Sequence, residues 1–233
     1  MLDDSAAENT MPAFLAALSA GATHIETDVR ATSDGIAVLF HDSDLSRIGE
    51  SQAKVQQLTW AQLSREKLPG DSRVLRLEEA LAELPTARFN LDIKSSKAIS
   101  PAASAINRLR AHDRVLVSSF SEQRRRAALA LLDSPVATSA SAMLAASGYL
   151  ARSARMDLLG RVRLLGIDAL QVPHGRAGLN FSSERFIAWL GELGIEAHFW
   201  TVNDPQEMTR LVARGAKGLV TDRADLVPRE LLQ

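Results

Sequence analysis

Short apolar runs with strand character alternate with helical patterns along nearly the whole chain, and this alternation restricts the fold more than any other feature. The strand-like runs are Thr23–Arg30, Ile36–His41, Arg88–Lys94, Val115–Phe120, Val136–Ala140, Asp168–Pro173, Glu196–Val202 and Gly218–Asp222. Helices are predicted at Thr10–Ala20, with Asn9 as N-cap, and at Pro101–Ala111, Glu122–Leu132, Ser183–Leu193 and Pro205–Arg214. Gly194 and Gly215 close the last two, and Asp204-Pro205 opens the final one as a cap followed by a first-turn proline. Strand, helix and strand repeating about every 25 residues imply βαβ units and a parallel sheet. A dinucleotide-binding open sheet should show G-x-G-x-x-G after its first strand, and that motif is absent. The polar candidates sit at the ends of several different strands, as in a (β/α)8 TIM barrel, and that is the expected fold. The rhythm breaks at about residues 36–87. Short helices are predicted there at Thr59–Arg65 and Leu77–Leu84, with a loop at Asp71–Arg76. This reads as an insertion on one domain spanning residues 1–233. Thr138–Ala151 fits a further helix.

Composition removes several functions. Twenty-seven basic residues against 28 acidic ones leave a net charge of −1, too little field for sequence-independent nucleic-acid binding. The absence of cysteine excludes thiol catalysis and cysteine-ligated metals. No apolar run is long enough to span a membrane. The acidic start, Met1-Leu2-Asp3-Asp4, is unlike a signal peptide, so a cytoplasmic location is expected.

The residues that could carry chemistry are few. The strand period places Glu26 and Asp28 on one face of the first run, and two such carboxylates can share Mg²⁺ or Ca²⁺, which prefer oxygen ligands. From spacing alone, a solvated edge strand or an ion pair with Arg30 is the commoner explanation of such a pair. In Asn90-Leu91-Asp92-Ile93-Lys94 the alternate residues are all polar, opposite an apolar face of Phe89, Leu91 and Ile93. Polar groups on a strand packed on both sides are costly unless an ion or ligand uses them. Asp92 could complete a carboxylate cluster and Lys94 hold an anion, or the two could form an ordinary ion pair. His41 closes an apolar strand and is placed for acid–base work. Trp200, near a strand end, could wall a pocket or simply pack.

Taken in order, these segments resemble the glycerophosphodiester phosphodiesterase family. The matching pieces begin with Glu8-Asn9-Thr10, Phe14, Gly21-Ala22, Ile25–Arg30 and Thr32–Gly35. Val38–Asp42 with Leu45 and Arg47 follows, then Leu58-Thr59 with Leu63, Leu77–Leu81 and Asn90–Lys94. Ser118–Phe120, Trp200–Asn203 and Gly218–Asp222 complete the set. The resemblance implies a barrel enzyme that uses one divalent cation, Mg²⁺ or Ca²⁺, to hydrolyse glycerophosphodiesters to an alcohol and glycerol 3-phosphate. It implies that Glu26, Asp28 and Asp92 ligate the metal, with Asp92 standing where the family usually has glutamate. It implies that His41 is a catalytic acid/base, that Lys94 binds and stabilises the phosphate, and that Trp200 contacts substrate. The family's opening strand and its His-Arg-Gly motif have no counterpart here. Slow turnover is therefore expected, and a non-catalytic phosphoester-binding barrel is the alternative. A lipid-hydrolysing relative of the same barrel superfamily would be expected to carry an apolar surface loop. No aromatics cluster in Glu50–Gln57 to supply one.

Overall fold

The computed structural model describes residues 7–48, 51–175 and 179–232. The Met1–Asp4 start and Glu50, invoked above, lie outside this set. The described residues fall into two compact units, one drawn from Met1–Ser118 and Gln123–Val136, the other from Ser119–Glu122 and Ala137–Gln233.

The first unit runs α1 (Met11–Ser19), β1 (His24–Ala31), β2 (Ala37–Leu39), α2 (Trp60–Leu63), β3 (Leu75–Arg76), α3 (Leu77–Glu83), β4 (Arg88–Ile93), α4 (Ile99–Arg108) and β5 (Val115–Ser118). It also holds most of α5 (Glu122–Leu129). Strands β1, β4 and β5 are parallel neighbours. β2 pairs antiparallel to β1, and β3 antiparallel to β2, so the insertion extends the same sheet. Ile25, Val29, Phe89, Leu91 and Ile93 pack with Phe14, Ala102 and Ile106 of α1 and α4 in one core. The insertion adds a smaller cluster around Val38, Phe40, Leu45, Leu63 and Val74.

The second unit runs β6 (Ala137–Thr138), α6 (Ala142–Ser153), α7 (Asp157–Arg163), β7 (Ala169–Pro173), α8 (Glu184–Glu192), β8 (Glu196–Trp200), α9 (Pro205–Ala213) and β9 (Gly218–Leu219). β7, β8 and β9 are parallel, and a parallel bridge from Ser139 to Ala169 places the end of β6 beside β7. Phe186, Trp189, Leu190, Phe199, Met208 and Leu211 are buried at its centre.

Each strand-like run of the sequence overlaps a strand, and the class is α/β with parallel strands joined through helices. Asp204 caps α9 as expected, accepting from the Gln206 N–H at 3.0 Å. Two local expectations need correction. The stretch read as loop, Asp71–Arg76, contains β3, because Leu75 and Arg76 pair with Leu39 and Val38. Asn9 does not cap α1. The helix starts at Met11 with Thr10 at the cap position, and Asn9 has φ 59° and points its amide elsewhere.

Candidate active site

Burying Ile25, Thr27 and Val29 commits the alternate residues of β1, Glu26, Asp28 and Arg30, to the opposite face. The parallel register sets Asp28 directly beside Asp92 and Glu26 beside Asn90. Asp28 and Asp92 are both buried, at 5% and 6% exposure. Two carboxylates this close and this dry repel each other unless a cation answers them. Lys94 supplies one: its Nζ lies 2.8 Å from Asp28 Oδ1 and 2.6 Å from Asp92 Oδ2. Burial pulls the ammonium's pKa down, the charges of Asp28 and Asp92 push it up, and the net shift is upward from 10.5.

Asn9 locks Asp28 from the other side. Its Nδ2 donates to Asp28 Oδ2 at 3.1 Å, while its Oδ1 accepts from the Asp28 N–H at 3.2 Å and from the Thr27 hydroxyl at 2.5 Å. One buried amide therefore fixes both the strand and the carboxylate. Asn tolerates a positive φ better than most residues, which lets it make this turn.

His41 follows β2, whose antiparallel pairing continues as the Phe40 N–H donates to Asp28 O at 2.9 Å. Arg30 then grips the His41 carbonyl with Nε at 3.0 Å and Nη2 at 2.7 Å. The Arg30 pKa is lowered, first by burial, against the opposing charges of Asp28 and Asp42. The His41 ring is half-exposed and its Nδ1 lies 2.8 Å from Asp42 Oδ1. A carboxylate on Nδ1 selects the tautomer in which Nε2 is the basic nitrogen. Asp42 is itself held by Arg47 Nε at 2.5 Å, and Arg47 also pairs with Glu8. A chain of side-chain contacts thus runs from Glu8 through Arg47 and Asp42 to the His41 ring.

Among the described residues, no three His, Asp or Glu side chains converge at spacing that would hold a metal ion. Glu26 is exposed on the same face as Asp28. The donor chemistry nevertheless fits a hard divalent cation, since all three candidates are carboxylates. One of them has spare capacity: Asp92 Oδ1 is buried and accepts no hydrogen bond. Trp200 belongs to the second unit, where its ring meets Phe120 edge-on at 6.0 Å.

The structure thus brings Asp28, Asp92 and Lys94 together and places His41 two residues past the neighbouring insertion strand β2. Asn9, Arg30 and Asp42 were not singled out as working residues from the sequence. A signal for Asn9 existed: Pro12 favours a first helical turn, which moves the helix start to Met11 and releases Asn9 from capping.

The sequence model of the Glycerophosphoryl diester phosphodiesterase family matches residues 2–226, so the chain belongs to that family of phosphoric diester hydrolases. A Mycobacterium tuberculosis protein named "Probable glycerophosphodiester phosphodiesterase 2" is 39% identical over 220 residues, covering 94% of this chain and 83% of the relative. A phosphodiesterase of Oleispira antarctica, solved with the product sn-glycerol-3-phosphate, superposes with a TM-score of 0.76 at 22% identity. That match covers 95% of this chain and 90% of the other. A Thermotoga maritima glycerophosphodiester phosphodiesterase gives 0.72 at 25% identity, covering 95% and 91%. The chain shares the fold of these enzymes, and its described strands form two sheets, one of six strands in the order β3-β2-β1-β4-β5-β6 and one of three, β7-β8-β9.

Proposed function

We propose that the chain hydrolyses glycerophosphodiesters to an alcohol and glycerol 3-phosphate at the Asp28–Lys94–Asp92 cluster, with His41 moving the proton. The observation that carries this reading is the pair of buried carboxylates bridged by one ammonium, in a chain of this family. Glu26, Asp28 and Asp92 would hold one divalent cation, Mg²⁺ or Ca²⁺. When bound, that ion would neutralise phosphate charge and acidify a coordinated hydroxyl. Lys94 offers an ammonium held charged by its two neighbours, suited to the charge that grows on the phosphate oxygens. His41 Nε2, basic because Asp42 engages Nδ1, would take the proton of the attacking hydroxyl as its oxygen bonds to phosphorus. That hydroxyl is the substrate's own glycerol 2-hydroxyl: the P–O bond to the alcohol breaks, the same proton returns to that leaving oxygen, and water then opens the resulting cyclic phosphate to glycerol 3-phosphate. Arg30 would keep His41 in place through the carbonyl it grips.

Phosphorus NMR of a glycerophosphocholine digest tests the reading. Glycerol 3-phosphate should accumulate in the presence of Mg²⁺ or Ca²⁺, and His41→Ala should slow its release by about 10²–10⁴. Phosphocholine as the product, or no turnover by the folded chain, would overturn it.

A further inference from the structure

Helices α6 and α7 lie side by side within the second unit. α6 buries Ala145, Gly148 and Ala151, and α7 buries Gly160, with Leu164 buried at its C-cap. The contact is close, because a Cβ on Gly148 would sit 2.9 Å from Leu164. What the pair turns outward is unusual for a soluble surface. Met143, Leu150, Met156, Leu158, Val162 and Leu165 are each between 51% and 77% exposed. Leu158 and Val162 stand at i and i+4 on α7, Leu165 follows in the turn that ends it, and Met143 and Leu150 stand at i and i+7 on α6. Scattered exposed apolar residues need no explanation, whereas a contiguous set on one helical pair marks an interaction surface.

Charge says which kind. From Ala142 to Gly166 the chain carries Arg152, Arg155, Arg161 and Arg163 against a single acid, Asp157, in a protein of net charge −1. Asp157 is already paired with Arg152 at 2.9 Å, Arg161 reaches Glu192 of α8 at 3.8 Å in an exposed pair, and Arg155 and Arg163 face outward. We propose that this face docks on the surface of a membrane containing anionic lipid. Leucine, valine and methionine would enter the acyl boundary, and the arginines would meet the headgroup phosphates. Neither helix is long enough to cross a bilayer, and lying in its plane requires no such length. A second copy of this chain is the poorer occupant. A twofold contact would set the arginines of one copy against those of the other. The proposal does not depend on the hydrolysis reading, and neither result decides the other.

Sedimentation with vesicles tests it, using the full chain and either phosphatidylcholine alone or phosphatidylcholine and phosphatidylglycerol in equal amounts. The chain should partition onto the anionic vesicles and be released by high salt. Changing Arg155, Arg161 and Arg163 to Gln should weaken this by about fivefold per arginine, on the order of a hundredfold in all. Changing Leu158, Val162 and Leu165 to Ser should abolish it. These side chains are exposed, so both variants should melt with the wild type. Wild-type protein left in the supernatant at low salt, or variants that bind as well as it does, would overturn the proposal. So would a concentration-dependent dimer, lost in the serine variant, with no vesicle binding.

Discussion

At the scale of single residues, the site is a set of charges that answer one another. The sequence suggests that Asp92, crowded by two other carboxylates, is a liability, so that Asp92→Asn would stabilise the metal-free protein. Lys94 reverses that sign, because its ammonium already binds Asp28 and Asp92 together. Asp92→Asn should cost about 1–2 kcal/mol of stability, read from a urea melt, and should weaken divalent-ion affinity in a calorimetric titration by more than tenfold. Asn9→Ala should cost more, about 2–4 kcal/mol, because it strands the buried Asp28 carboxylate and Thr27 hydroxyl at once. Asp42 gives a pH test. Burial pushes its carboxyl up, the bonds from His41 and Arg47 outweigh that, and the net shift is below 3.8. A depressed carboxyl contributes stability above its unfolded pKa and loses it as pH falls through the folded value. Urea midpoints of wild type and Asp42→Asn should therefore converge as pH drops below about 3.8, and stay apart at about pH 5. The ligand candidates were legible because strand periodicity alone puts Glu26 with Asp28 and Asp92 with Lys94. Asn9 acts on Thr27 and Asp28, 18 and 19 residues away, and its own local pattern does not reveal them.

At the scale of elements, the parallel strands were readable because each is a short apolar run bounded by turn residues. β3 was not, since two residues pair only because β2 offers an edge. The surface of α7 was not either, because an apolar stripe in a sequence is ordinarily a buried one. Its buried side turns on glycine. Alanine normally stabilises a helix over glycine by about 1 kcal/mol. A Cβ at Gly160, however, would come within 2.9 Å of the Trp189 ring, which is buried at 2% exposure. Gly160→Ala should therefore destabilise the chain by about 1–3 kcal/mol, seen as a lower melting temperature. A raised melting temperature would show that Trp189 yields.

At the scale of the whole molecule, two observations stand together. The chain belongs to the Glycerophosphoryl diester phosphodiesterase family over residues 2–226, and its first unit holds a buried Asp28–Lys94–Asp92 cluster beside an Asp-engaged histidine. No helix among the described residues is long and apolar enough to cross a membrane. The central claim is that the cluster is where the diester is cleaved. The most direct measurement is the initial rate of glycerol 3-phosphate release from glycerophosphocholine by wild type and by Lys94→Met, with Mg²⁺ or Ca²⁺ present and both proteins shown to be folded by circular dichroism. Loss of a preorganised charge at the phosphate should slow the reaction by about 10²–10³. A folded Lys94→Met protein that cleaves as fast as the wild type would contradict the account.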